Sequence, residues 1–152
     1  MISVQHDDFD LTSVYEQLRT NSGDAGAIVL FSGLVREIYT VDSEEQSIQS
    51  LYLEHYPGMT EKSLTSILDR ANTKWEILDA RIIHRIGVLK PADQIVLVGI
   101  ASRHRQDAFN AARYIMDFLK SEAPFWKKQS LKNSSNWVES RDSDIDALKS
   151  WE

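Results

Sequence analysis

The run Gln94–Ser102, QIVLVGIAS, constrains this chain more than any other stretch, because it is apolar from Ile95 to Ala101 and flows without a linker into the longest helical pattern of the sequence. A short apolar run bounded by turn residues reads as a buried strand. Just upstream, RIIHRIG (Arg81 to Gly87) reads as a second strand, and Lys90-Pro-Ala-Asp93 between the two suits an antiparallel hairpin. Downstream, Ala108, Ala112, Ile115 and Leu119 place a core stripe on a helix from about Arg103 to Ser121. Pro124 ends it, since proline has no N–H to donate and clashes with the preceding turn.

The remaining elements fit around this unit. Leu11, Val14, Tyr15 and Leu18 follow one-face helical spacing, Ser13 and Glu16 can form a capping box, and Asn21-Ser-Gly-Asp breaks the pattern. GAIVLFSGL (Gly26 to Leu34) and SLYLEHY (Ser50 to Tyr56) read as strands; Pro57-Gly58 then precedes a helix starting near Thr60, with Leu64, Ile67, Leu68 and Ala71 on one face. Residues 37–50, EIYTVDSEEQSIQS, are polar and patternless and read as a mobile loop. NWVES near the end reads as a last short strand, and the charged tail over about 142–152 as a short helix. Strands in adjacent pairs, rather than alternating singly with helices, predict an α+β fold with helices packed on a mainly antiparallel sheet.

The 152 residues suit a single domain spanning 1–152. There is no cysteine, which removes disulfides, thiolate nucleophiles and sulfur-ligated metal sites. The four histidines show no metal spacing, no glycine pattern marks a phosphate loop, and GxSxG is absent. No metal or cofactor is called for. His55 and His84 read as structural. No apolar run approaches the roughly 20 residues of a membrane span, and MISVQHDDFD is acidic where a signal peptide is basic and then apolar, so the expected compartment is the cytoplasm.

Net charge is −6, which argues against nucleic acid as a partner. Yet from Arg103 to Lys128 six Lys or Arg face only three acids. Charge counting leaves two readings open: a pocket for a small anion, or a solvated helix face with compensating acids. Two spots sharpen the first. In ASRHRQDAF, Arg103, His104 and Arg105 crowd a helix N-terminus, where cations oppose the helix dipole unless an anion is bound. At the other end Lys120 lies four residues beyond Met116 on one helix face, and the turn forced by Pro124 can return Lys127 beside it. Two ammonium groups in one partly desolvated site lower at least one pKa and yield a base or nucleophile near neutral pH. Phe125 and Trp126 would supply an apolar wall.

Three long motifs then carry a resemblance: LEHYPGMTEKSL (Leu53 to Leu64), IHRIGVLKPAD (Ile83 to Asp93), and HR followed by AFNAARYIMDFLKSEAPFWKK, from His104 to Lys128. In this order and spacing they closely resemble the large, catalytic subunits of molybdopterin synthases, the MoaE family, over most of the chain from Gly26 to Arg141. The resemblance implies an α/β-hammerhead-like fold with a small β subdomain. It implies a sulfurtransferase of molybdenum cofactor biosynthesis that converts cyclic pyranopterin monophosphate to molybdopterin. The sulfur would come from the C-terminal Gly-Gly thiocarboxylate of a ubiquitin-like small subunit, in a heterotetramer built on a homodimer of this chain. Such an enzyme needs no cysteine of its own.

By motif, Lys120 and Lys127 match the family's two essential lysines. His104 and Arg105 match substrate-binding residues, Arg36 matches the arginine after the first of the matching strands, and Phe31 and Met116 match apolar contacts near the pocket. Arg141 matches an arginine donated across the dimer interface. Two positions depart from the pattern: Gln129 stands where many members have glutamate, and Glu37-Ile-Tyr39 follows Arg36 in place of an asparagine-containing loop.

Overall fold

The computed structural model describes residues 1–41, 44–131, 135–139 and 141–152. In chain order its elements are β1 (Ile2–Gln5), α1 (Leu11–Asn21), β2 (Ala27–Leu34), β3 (Ile38–Val41), β4 (Glu44–His55), α2 (Met59–Lys74), β5 (Asp79–Arg85), β6 (Gly87–Leu89), β7 (Gln94–Ser102), α3 (Arg105–Glu122), β8 (Phe125–Leu131), β9 (Ser135–Val138) and α4 (Asp142–Lys149).

β7 is unbroken by polar residues because both its faces are covered. It lies inside a sheet ordered β1-β5-β7-β2, where it pairs antiparallel with β5 and β2, while the short β1 runs parallel to β5. Val96, Val98 and Ile100 face α2 and α3 in the main core with Leu64, Ile67, Ala108 and Ile115. Leu97 and Ala101, on the opposite face, pack with Phe9, Val14 and Leu18 from α1 and its approach. Gly99 allows α1 this close, since a Cβ there would meet Leu18 Cδ1 at 2.8 Å.

A second sheet holds β3, β4, β8 and β9 in that order, with β6 joined to β4. Its inner face buries Ile48, Leu51, Leu53, Leu89 and Leu131. Tyr52, Val88, Trp126 and Trp137 are exposed on the strands of this sheet. The architecture is therefore α+β, with helices on a mainly antiparallel sheet and a smaller β unit beside it.

Several local expectations need correction. The hairpin is real, with Asp79 opposite Ala101 and His84 opposite Val96, but its connection leaves the sheet to make β6. Residues 37–50, read as a mobile loop, contain β3 and the first half of β4, which pair from Ile38–Ser47 to Val41–Glu44; residues 42–43 lie outside the described residues. This ribbon has little apolar alternation to betray it, because Glu45, Ser47 and Gln49 are exposed and Ile48 turns inward. The cap of α1 is Asp10, whose Oδ1 accepts from the Ser13 N–H at 2.7 Å, and not Ser13 itself. As expected, the tail forms a short helix, α4, and a last short strand precedes it over Ser135–Val138, Ser140 lying outside the described residues. No described helix is long and apolar enough to cross a membrane.

Candidate active site

A cavity of about 310 Å³ opens where the end of β2, the last turns of α3, the inner face of β8 and the approach to α4 converge. Phe31, Arg36, Met116, Lys120, Lys127 and Arg141, six of the eight residues singled out from the sequence, all line it.

The two lysines meet because of how α3 ends. Ala123 is already extended (φ −74°, ψ 127°), Pro124 cannot extend the helix, and β8 starts at Phe125. The chain thus reverses within two residues. Side chains then alternate along β8: Phe125, Lys127 and Gln129 line the cavity, while Trp126 points out and Lys128 lies 5.8 Å from the Trp137 ring. Phe125 supplies the apolar wall expected of it; Trp126 does not. The elbow is fastened from outside by Thr60, whose buried hydroxyl donates to the Pro124 carbonyl (3.0 Å) and accepts from the Tyr56 N–H (3.0 Å).

Arg36 is set by a second clamp. The Val35 N–H donates to the Asp93 carbonyl and the Ala92 N–H to the Val35 carbonyl, each at 2.9 Å, so the turn before β7 grips the residue preceding Arg36. Ala92 adopts φ 71°, a left-handed conformation unusual for a residue with a Cβ. At the mouth Phe31 lies across Gly33, where a Cβ would meet its ring at 3.6 Å and Val96 Cγ1 at 2.8 Å.

Electrostatically the cavity suits a compact anion. Four cations line it (Arg36, Lys120, Lys127, Arg141) against two carboxylates, Glu139 and Asp144. Lys120 Nζ lies 3.6 Å from Asp144 Oδ1. Burial holds the Lys127 amine below the usual lysine range, Arg141 and Lys120 lower it further, and Asp144 opposes them. A lysine so placed gives up its proton at lower pH than a solvated one and can serve as base or nucleophile.

His84 belongs to this site although the sequence reading left it structural. It lies buried in the cavity wall, stacked on Phe125 at 3.7 Å between ring centroids and 16° between planes, with Nδ1 2.8 Å from the Arg85 carbonyl oxygen. A single histidine inside an apolar strand carries no sequence signal for this. Gln129, buried at 5% exposure, also lines the cavity.

Of the residues named from the sequence, Arg141 is in the cavity and His104 and Arg105 are outside it. Arg141, matched to an arginine given across a dimer, lines the cavity of its own chain beside Lys127, brought there by the turn into α4. His104 and Arg105 are not in the cavity lining: they are exposed at the start of α3, and the fifteen residues from Arg105 to Lys120 span roughly 22 Å of helix. The cluster read there as an anion site is partly neutralised, since Arg103 pairs with Asp24 (2.8 Å) and Glu76 (2.6 Å). Among the described residues no group of three His, Cys, Asp or Glu could hold a metal ion.

Comparison with known proteins gives a consistent answer. Residues 4–122 match the family described as MoaE protein. The chain is 50% identical to the molybdopterin synthase catalytic subunit of Vibrio cholerae over 151 residues, covering 99% of this chain and 97% of that one. It is 46% identical to the protein of the same name from Escherichia coli over 143 residues, 94% of this chain and 92% of the other. The solved structure of the molybdopterin biosynthesis MoaE protein from Burkholderia ambifaria superposes with a TM-score of 0.83 at 43% identity, covering 99% of this chain and 97% of that one. The chain belongs to the MoaE family.

Proposed function

We propose that this chain is the catalytic subunit of a molybdopterin synthase, converting cyclic pyranopterin monophosphate to molybdopterin with two sulfurs taken from the C-terminal thiocarboxylate of a ubiquitin-like small subunit. The observation that carries this reading is the meeting of Lys120 and Lys127 across the α3–β8 elbow in a cationic cavity. Arg36 and Arg141 are suited to the substrate phosphate, with Phe31 and Met116 against the pterin. Lys127, its amine eased toward neutrality, takes protons as sulfur is transferred; Lys120, in the last turn of α3, holds the anionic end of the partner's tail. Sulfur arrives on that tail, which accounts for a sulfurtransferase without cysteine.

His104 and Arg105 bind substrate in this reading by reaching the cavity of a second copy, since their own lies too far down α3. That fits a homodimer at the centre of a heterotetramer working in the cytoplasm.

The test is conversion of cyclic pyranopterin monophosphate by purified protein with thiocarboxylated small subunit, comparing wild type with Lys120→Ala and Lys127→Ala. Wild type makes molybdopterin, and each variant loses about a hundredfold or more of the rate. A well-folded wild type that binds the small subunit yet forms no product would overturn the reading in favour of a docking module.

A further inference from the structure

We propose that His84 is a positioning residue for Lys127: its imidazole, tied to the Arg85 carbonyl and laid flat on Phe125, fixes the strand that carries Lys127 into the cavity. The inference rests on the reading of Lys127 as catalytic.

The argument begins with the ring's fixed pose. Nδ1 lies 2.8 Å from the Arg85 carbonyl oxygen, which can only accept, so Nδ1 carries the proton and the ring cannot turn without breaking that bond. Both ends of the stack are anchored: His84 sits inside β5, opposite Val96 of β7, and Phe125 opens β8 opposite His55 of β4. The centroid separation of 3.7 Å and interplanar angle of 16° make this face-to-face contact a bridge between the two sheets at the cavity wall.

Lys127 follows Phe125 by two residues, so both side chains leave β8 on the same face. Whatever holds Phe125 flat therefore sets where the Lys127 stem starts. Position matters here because the amine is tuned by its surroundings: burial comes first, then Arg141 from the approach to α4 and Lys120 from α3, with Asp144 of α4 opposing. Around His84 the ionisable neighbours are Lys127 and, from β4, His55, and a charge on either disfavours one on the ring. A small outward movement of β8 would return Lys127 to water and to ordinary lysine behaviour.

The test compares His84→Ala, which removes the stack, with His84→Phe, which keeps a flat ring without nitrogen. Titration of the Lys127 ammonium is followed by NMR on lysine-labelled protein, its signal identified by its loss in Lys127→Arg, and kcat and KM for molybdopterin formation are measured in parallel. In His84→Ala the Lys127 midpoint moves up toward the ordinary lysine value and kcat falls by about tenfold or more with KM little changed. His84→Phe, which keeps the stack without the tie to Arg85, restores the greater part of both. If His84→Ala does not fold, His84→Leu, which fills the volume without stacking, is expected to behave as described for alanine.

A folded alanine or leucine variant with an unmoved Lys127 midpoint overturns the proposal. So does a phenylalanine variant as impaired as alanine, because the imidazole nitrogens and not the stack would then be required. The titration needs no substrate: a midpoint that moves as expected beside a wild type that makes no molybdopterin would sink the functional reading and leave the positioning role standing.

Discussion

Asp144 is the acid that faces the two lysines: its Oδ1 lies 3.6 Å from Lys120 Nζ, and its charge raises the affinity of Lys127 for a proton while Arg141 and Lys120 lower it. The backbone holds it there, since the Ser121 hydroxyl donates to the Asp144 carbonyl at 3.3 Å, joining α4 to the end of α3. Asp144 thereby moderates, alongside Glu139, a cavity that four cations line.

Asp144→Asn removes that moderation. With the opposing charge gone the Lys127 amine deprotonates at still lower pH, so the acid limb of the kcat/KM profile shifts to lower pH. A pH series on the two proteins checks this. An unmoved acid limb with the alkaline limb shifted to lower pH would mean that Lys127 acts in its protonated form.

Lys127 burdens the fold. Its pKa is lower folded than in the unfolded chain, whose value is about 10.5. Below the folded pKa both states hold the proton and the folded state carries the whole penalty; the penalty fades as pH rises through the folded pKa toward the unfolded one. Lys127→Met is expected to stabilise the protein at pH 7 by about 1 kcal/mol while abolishing activity, and to lose that gain near pH 10.5. Urea unfolding at both pH values reads it.

His84 predicts acid sensitivity. Burial, assisted by Lys127 and His55, holds its pKa at about 4 against an ordinary 6.5. The unfolded chain therefore takes up a proton below pH 6.5 that the folded protein refuses until about pH 4. Stability from this group falls across that window, by up to about 3 kcal/mol, and levels off below it. Unfolding free energies at pH 7.5, 5.5 and 4 should decline less steeply in His84→Phe than in wild type. Equal slopes would remove His84 as the cause.

Gln129→Glu tests the position at which the family resemblance led to the expectation of glutamate. A carboxylate introduced on β8, two residues from Lys127 and on the same face, favours the ammonium form. The acid limb of the activity profile then moves to higher pH, opposite to the change in Asp144→Asn, and the comparison of the two variants is the measurement.

Much of this was legible in the sequence, for identifiable reasons. β7 and α3 carry strong patterns because both bury apolar side chains continuously, and the lysine pair is only a helix end and a proline apart. β8 was illegible for the opposite reason. Its inward residues run Phe125, Lys127, Gln129, Leu131, so the positions that would have shown an apolar alternation are given over to the cavity. β3 escaped notice because its four residues, IYTV, sit in a polar stretch and hold too little pattern, and β1 because four residues at a sheet edge do the same. The helix-start cluster at Arg103 drew attention through charge alone, and its neutralising acids, Asp24 and Glu76, lie far off in the chain.

The Thr60 hydroxyl gives the site an adjustment point outside it. Tyr56 and Thr60 form the corner between β4 and α2, Pro124 forms the elbow between α3 and β8, and one side-chain oxygen binds both. The separation of the two lysines is thus a mechanical property of two bends held in register, as a set-screw holds a gauge. A displacement of the outer corner would be felt as a change of chemistry inside.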